Sequence, residues 1–200
     1  MRSFLMCLSC LVCFVSSASF ACAQEQRKEP DSQRMESPSW TKVAPATGGF
    51  IVLMPGAPKE KAAELEIASM KVPTTSYALS LGEAGFFVQR WGDFPEPLVK
   101  AGHLDALFYI IHRVFFEMKE QDGKTSSMPF TRTNISLNGN AGHEYQAACG
   151  PYKKVSGPCS TTIRVYKVGR SLFIIGSSGP KSAQSDKEVE KFFSSFTLIQ

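Results

Sequence analysis

Cys149 and Cys159 are the residues best placed, by type and spacing, to do chemistry in this chain. They bracket a segment, 150–158, whose two Gly-Pro pairs read as a loop. If the flanking strands pair antiparallel, the two cysteines face each other at the loop's base, at a separation that a disulfide spans. The alternative is metal ligation. Zinc takes about four ligands, usually from close Cys or His pairs. Here two separated cysteines accompany three scattered histidines. The spacing therefore predicts a disulfide, with no metal and no cofactor.

Nucleophilic catalysis is the second chemistry to weigh. Cys149 lies six residues after His143, and Glu144 stands beside the imidazole. On one extended strand, residues six apart are separated by ~20 Å. A Cys–His pair needs hydrogen-bond reach, so His143 and Glu144 read instead as polar strand residues after a turn. His103 and His112 are nine apart, not the three or four that put two ligands on one helix face. No G-x-S-x-G, H-E-x-x-H, P-loop or Rossmann fingerprint occurs. The expectation is a protein that is not an enzyme. A ligand pocket lined by Phe108, Phe115 and Phe192 is set against an ordinary packed core, and their core periodicity favours the latter.

The sharper binding candidate is Tyr152-Lys153-Lys154, at the tip of the Cys-bracketed loop. An aromatic beside two lysines on a pinned loop suits recognition of a protein or an acidic surface. A solvated turn carrying lysines for solubility is the plain alternative.

These groups must be positioned by a scaffold that the sequence partly spells out. Segments 135–137 and 145–147 flank Asn138-Gly139-Asn140-Ala141-Gly142, which reads as a hairpin loop. Thr161 to Val168 alternates, and Gly169-Arg170 suits a type II′ turn into Ser171-Leu172-Phe173-Ile174-Ile175. That last run is apolar on both faces, so it is expected to be a central strand. Phe50-Ile51-Val52-Leu53-Met54 reads as a buried strand stopped by Pro55-Gly56. Segments 74–81 and 85–91 form a further expected hairpin, and 64–68 leans towards strand. A helix is expected over 104–121, with Leu104, Leu107, Phe108, Ile111, Phe115 and Met118 at threes and fours. A last helix follows the capping box Ser185-Asp186-Lys187-Glu188, with Val189, Phe192, Phe193 and Phe196 as its stripe.

The amino-terminal region speaks to compartment. Residues 1–23 read as a secretory signal peptide: Arg2, an uncharged apolar run, then Ala21-Cys22-Ala23. Lipidation at Cys22 is the alternative, and only it would attach the chain to a membrane. Four of the six cysteines lie in this segment, which leaves an even pair suited to an oxidising compartment. Residues 24–39 are polar, carry Pro30 and Pro38, and read as a disordered tether. The single domain is expected over 40–200. The net charge of +4 is dispersed, without the Lys/Arg block of a nucleic-acid binder.

Four segments together resemble one family. Gly-Gly-Phe-Ile-Val-Leu-Met-Pro-Gly-Ala-Pro-Lys-Glu at 48–60 resembles the "F-x-V-x-x-P-G-x-P" start of exported bacterial domains of the PsbP/Mog1-like superfold. The segment 135–145 is similar to their "I-x-L-x-G-x-x-G-R-E-F", 164–173 to their "R-x-Y-x-V-G-x-R-L-Y", and 192–196 to their "F-L-x-S-F". The resemblance implies an α+β domain: an antiparallel β-sheet with helices packed on both faces, an α-β-α sandwich. It implies no particular activity, since one fold hosts many functions. His143 stands where the family usually has arginine, so a role resting on that arginine does not carry over. The sequence thus leads to a secreted or periplasmic, non-enzymatic protein-binding or scaffold domain with an unidentified envelope protein as partner. A small-molecule or lipid-binding envelope protein is the alternative.

Overall fold

Alternating and doubly apolar segments dominate this chain, and nearly all of them become strands. The computed structural model describes residues 39–46, 48–67, 70–99, 104–119, 125–149 and 157–199. All lie in one compact unit, Ser37–Gln200. The expected signal peptide, the tether up to residue 38, His103 and the loop residues Tyr152, Lys153 and Lys154 lie outside the described residues.

The elements in order are β1 (Thr41–Val43), β2 (Phe50–Met54), β3 (Lys59–Ile67), β4 (Met70–Leu81), β5 (Ala84–Trp91), α1 (Glu96–Val99) and α2 (Leu104–Phe116). Then come β6 (Glu117–Lys119), β7 (Thr125–Ser127), β8 (Phe130–Leu137), β9 (Asn140–Ala148), β10 (Cys159–Val168), β11 (Ser171–Pro180), α3 (Asp186–Ser194) and β12 (Thr197–Leu198). Seven strands form an antiparallel sheet in the order β3-β4-β5-β11-β10-β9-β8. A three-stranded sheet, β1-β2-β12, and a small β6-β7 hairpin are separate.

Turn chemistry fixes the registers. Asn138 and Gly139 both have positive φ, 51° and 79°, as a type I′ turn requires. They join Leu137 to its partner Asn140, so Asn140-Ala141-Gly142 belongs to β9 rather than to the expected five-residue loop. Gly142 is needed for another reason. A Cβ there would collide with the Val165 carbonyl of β10 and reach within 2.8 Å of Tyr166 Cδ1. Gly169-Arg170 makes a two-residue turn between Val168 and Ser171, with Gly169 at φ 56°. The strand it leads into, β11, is the middle strand of the seven and is buried along most of its length.

Alternation along the strands builds two cores on opposite faces of the sheet. Leu172, Ile174, Ile163, Val165 and Trp91 join Leu107, Phe108, Ile111 and Phe116 of α2. Phe173, Ile175, Phe86 and Val88 join Phe50, Val52 and Met54 of β2 and Phe192, Phe193 and Phe196 of the α3 region. Phe108 and Phe115 therefore pack on one face and Phe192 on the other, which rules out a shared pocket.

The expected α-β-α sandwich is corrected here. The described residues are mostly antiparallel strand, with only two helices longer than a turn among them. The second face is covered by the three-stranded sheet together with the nine-residue α3, not by a helical layer. The cause lies in the ends of the domain. β12 pairs with β2, at Thr197↔Ile51 and Leu198↔Phe50, and draws both termini into a second sheet over the core. The Leu53 amide donates to Ser195 Oγ at 2.9 Å, which ties that sheet to the end of α3.

Two helix boundaries are instructive. α3 begins as its capping box dictates: the Glu188 amide donates to Ser185 Oγ at 3.2 Å and the Ser185 amide to Glu188 Oε2 at 2.8 Å. α2 stops at Phe116, short of the expected 121, because Glu117–Lys119 pairs with Thr125–Ser127 as a hairpin. The Met128 amide then donates to the Phe116 carbonyl at 2.9 Å. Pairing overrides local helix propensity there.

On β4, the buried Tyr77 phenol donates to Glu60 Oε1 of β3 at 2.9 Å. Burial first, then the hydrogen bond and charge of Glu60, push its pKa from 10.0 up to about 12. The folded state therefore favours the protonated phenol. That contribution to stability is complete below the unfolded value near pH 10 and is lost as pH rises through about 12. Alkaline unfolding, compared with Tyr77→Phe, should show this dependence in the parent protein and its absence in the variant.

Candidate functional site

On the α2 side, β9 and β10 are covered; on the α3 side, they are partly open. Tyr145 and Ile163 point into the α2 core. Their neighbours Gln146 and Thr162 therefore face the α3 side. The register places Thr131 opposite Gln146, Gln146 opposite Thr162, and Thr162 opposite Ser177. This is a straight row of four neutral polar residues across β8, β9, β10 and β11, stepping about 4.8 Å per strand. It grades from exposed Thr131 and Gln146 to Ser177, which is 2% exposed.

The next row holds the site's charges. Glu144 faces Arg164 across β9 and β10, with Arg164 Nε donating to Glu144 Oε2 at 2.6 Å. The Arg164 guanidinium also lies 4.6 Å from the centre of the Phe193 ring of α3. Carboxylate and ring hold it in one pose, with both members of the ion pair mostly shielded. The Gln146 amide donates to Glu144 Oε1 at 2.8 Å and links the two rows. Beside them, burial pushes the Tyr166 phenol above its ordinary value; Arg164 opposes this and Glu144 adds to it.

These rows floor a groove walled by α3. One part, of about 710 Å³, runs over Thr131, Gln146, Ser160, Thr162 and Ser177 to Gln184 and Val189. Another, of about 460 Å³, continues over Glu144 and Arg164 along Glu190 and Phe193. Lys181 and Asp186 pair at the rim at 3.8 Å, both well exposed. Gln184 is 6% exposed; its Nε2 donates to the Gly179 carbonyl at 3.1 Å, while its buried Oε1 has no hydrogen-bond partner.

The Cys149–Cys159 disulfide pins one end of this floor, with a Cα separation of 5.2 Å. The Cys149 amide donates to the Cys159 carbonyl at 3.2 Å, so the two cysteines continue the β9–β10 ladder as facing residues. Ala148 and Ser160, their neighbours, both line the groove. The candidate loop Tyr152-Lys153-Lys154 is thus joined to the groove through its two stems, although its own residues lie outside the described ones.

The other chemistry-bearing residues are dispersed. His143 lies in β9 and Cys149 just past its end, six residues further on. The His143 ring packs edge-on against Phe108, centroids 4.0 Å apart, and the His112 ring lies 5.1 Å from that of Phe130. Among the described residues, no group of three or more His, Cys, Asp or Glu is arranged to hold a metal ion. Nor is any described helix long and apolar enough to cross a membrane.

Sequence reasoning missed both the polar row and the Glu144–Arg164 pair. Each depends on register across strands, and Glu144 and Arg164 lie 20 residues apart in sequence. The one available signal was the type I′ and II′ turns, which fix register once strand partners are known.

No family model matches this sequence, and no curated protein matches it. Solved structures do. The chain is similar to a Bacteroides thetaiotaomicron VPI-5482 protein, with 11% identity, TM-score 0.43, and coverage of 80% of this chain but 48% of that one. It therefore spans about half the length of that protein. It is also similar to the solution structure of cyanobacterial PsbP (CyanoP) from Synechocystis sp. PCC 6803, with 11% identity, TM-score 0.50, and coverage of 83% of this chain and 96% of that one. At such identity the second likeness speaks to architecture alone: the fold is PsbP-like.

Proposed function

We propose that this protein is an exported, non-enzymatic domain that binds another protein in the cell envelope. The observation that carries this reading is the groove between α3 and the β8–β10 side of the sheet, pinned at one end by the Cys149–Cys159 disulfide. A rigid floor with a fixed arginine and a disulfide at one end is a surface prepared in advance of binding, which lowers the ordering cost of association. Export is supported by the disulfide and the apolar leader at 1–23.

An affinity pull-down by the mature, oxidised domain from its own envelope extract tests this. One stoichiometric protein is expected with the parent chain, and its loss with Lys153→Ala/Lys154→Ala or on reduction. Equal recovery from all three would remove the loop from the account, and no recovery from any would remove the protein partner.

A second reading, a small-molecule-binding envelope protein, is favoured by the buried, unpartnered Gln184 Oε1 in the groove wall.

A further inference from the structure

We propose that the polar row of the groove, from Thr131 to Ser177, together with Gln184, binds a neutral polyhydroxylated ligand: a short, uncharged oligosaccharide. This rests on the small-molecule reading and gives it a site and a ligand class. Gln184 supplies the first constraint. Its Oε1 is buried without a partner while its Nε2 is committed to the Gly179 carbonyl. Buried acceptors in native proteins are almost always satisfied, and Gln184 is one of the residues that line the groove.

Charge supplies the second constraint. Arg164 is neutralised by Glu144, and Lys181 pairs with Asp186 at the rim. The Glu188 amide of α3's first turn is occupied by the Ser185 hydroxyl in the capping box. In the part of the groove that the row floors, the charged residues among the described lining are Lys181 and Asp186, which pair with each other, so a phosphate finds no uncommitted counter-charge there. The row itself offers Thr131, Gln146, Thr162 and Ser177, which each donate and accept. Such dual groups match sugar hydroxyls, which do the same. Val189 adds apolar surface at the wall, suited to the C–H faces of sugar rings.

The test is an NMR titration of the ¹⁵N-labelled mature, oxidised protein with two neutral probes, chitotetraose and cellotetraose. The expected result is saturable shifts at Thr131, Gln146, Thr162, Ser177 and the Gln184 side-chain amide with at least one probe. Thr162→Val should weaken that binding about tenfold while leaving the folded spectrum intact, as loss of one buried hydrogen bond does. Gln184→Leu should do the same; because Gln184 also holds Gly179, the Thr162 variant decides the matter if the Gln184 variant fails to fold. No saturable shift with either probe, shifts confined to other surfaces, or unchanged affinity in folded Thr162→Val would each overturn the inference. Loss of saccharide binding with the protein partner still recovered would leave the protein-binding reading standing.

Discussion

Phe192→Ala is expected to destabilise the domain by about 3–5 kcal/mol, the range for emptying a buried aromatic site. Phe192 is fully buried in the centre of the α3-side core. Its ring meets Phe86 of β5 edge-on at 5.2 Å and Phe193 at 5.3 Å. It thus bridges the helix to the seven-stranded sheet, and its neighbours are themselves large rings that cannot collapse into the gap. Urea unfolding should show the midpoint fall with an unchanged slope, the mark of lost stability without a changed unfolding reaction. Lys187→Ala, an exposed change on the same helix, should stay within about 0.5 kcal/mol of the parent. Equal midpoints for the two variants would mean that α3 is not docked as described.

Removal of the disulfide is the second large effect. Cys149 and Cys159 are separated by 10 positions, and the chain-entropy model assigns a loop of that size about 3 kcal/mol. For a domain of this length that corresponds to a fall in Tm of roughly 6–12 °C. Cys149→Ser/Cys159→Ser and reduced parent protein should agree, since both release the same loop. The loss should be felt first where β9 and β10 end, in the part of the groove that Ala148 and Ser160 line. A double variant with the parent's Tm would show that the loop is restrained by other contacts.

Local features of the fold were legible because local chemistry decides them. The place of the hairpin after Leu137, though not its two-residue length, the Gly169-Arg170 turn, the Ser185–Glu188 capping box, the doubly apolar β11 and the facing cysteines each follow from residues close in sequence. Layering did not, because strand periodicity gives no sign of which sheet a strand will join. Phe50–Met54 was readable as a strand, but nothing in it announces pairing with Thr197–Leu198 instead of the main sheet. That pairing puts a small sheet where a helical layer was expected. The end of α2 failed for a related reason: Met118 continues the helical spacing, yet the β6–β7 hairpin claims it. The groove was the least legible feature. Thr131, Gln146, Thr162 and Ser177 look unremarkable one by one and become a row only when four strands are in register.

The central claim is that the groove beside α3 is the binding surface, and hydrogen–deuterium exchange tests it most directly. The mature, oxidised protein would be compared alone and with its captured partner. Slowed exchange is predicted in β8, β9 and β10 and along α3, with β3 and α2 unchanged. Protection confined to β3 or α2, or no protection in the presence of a stoichiometric partner, would contradict it.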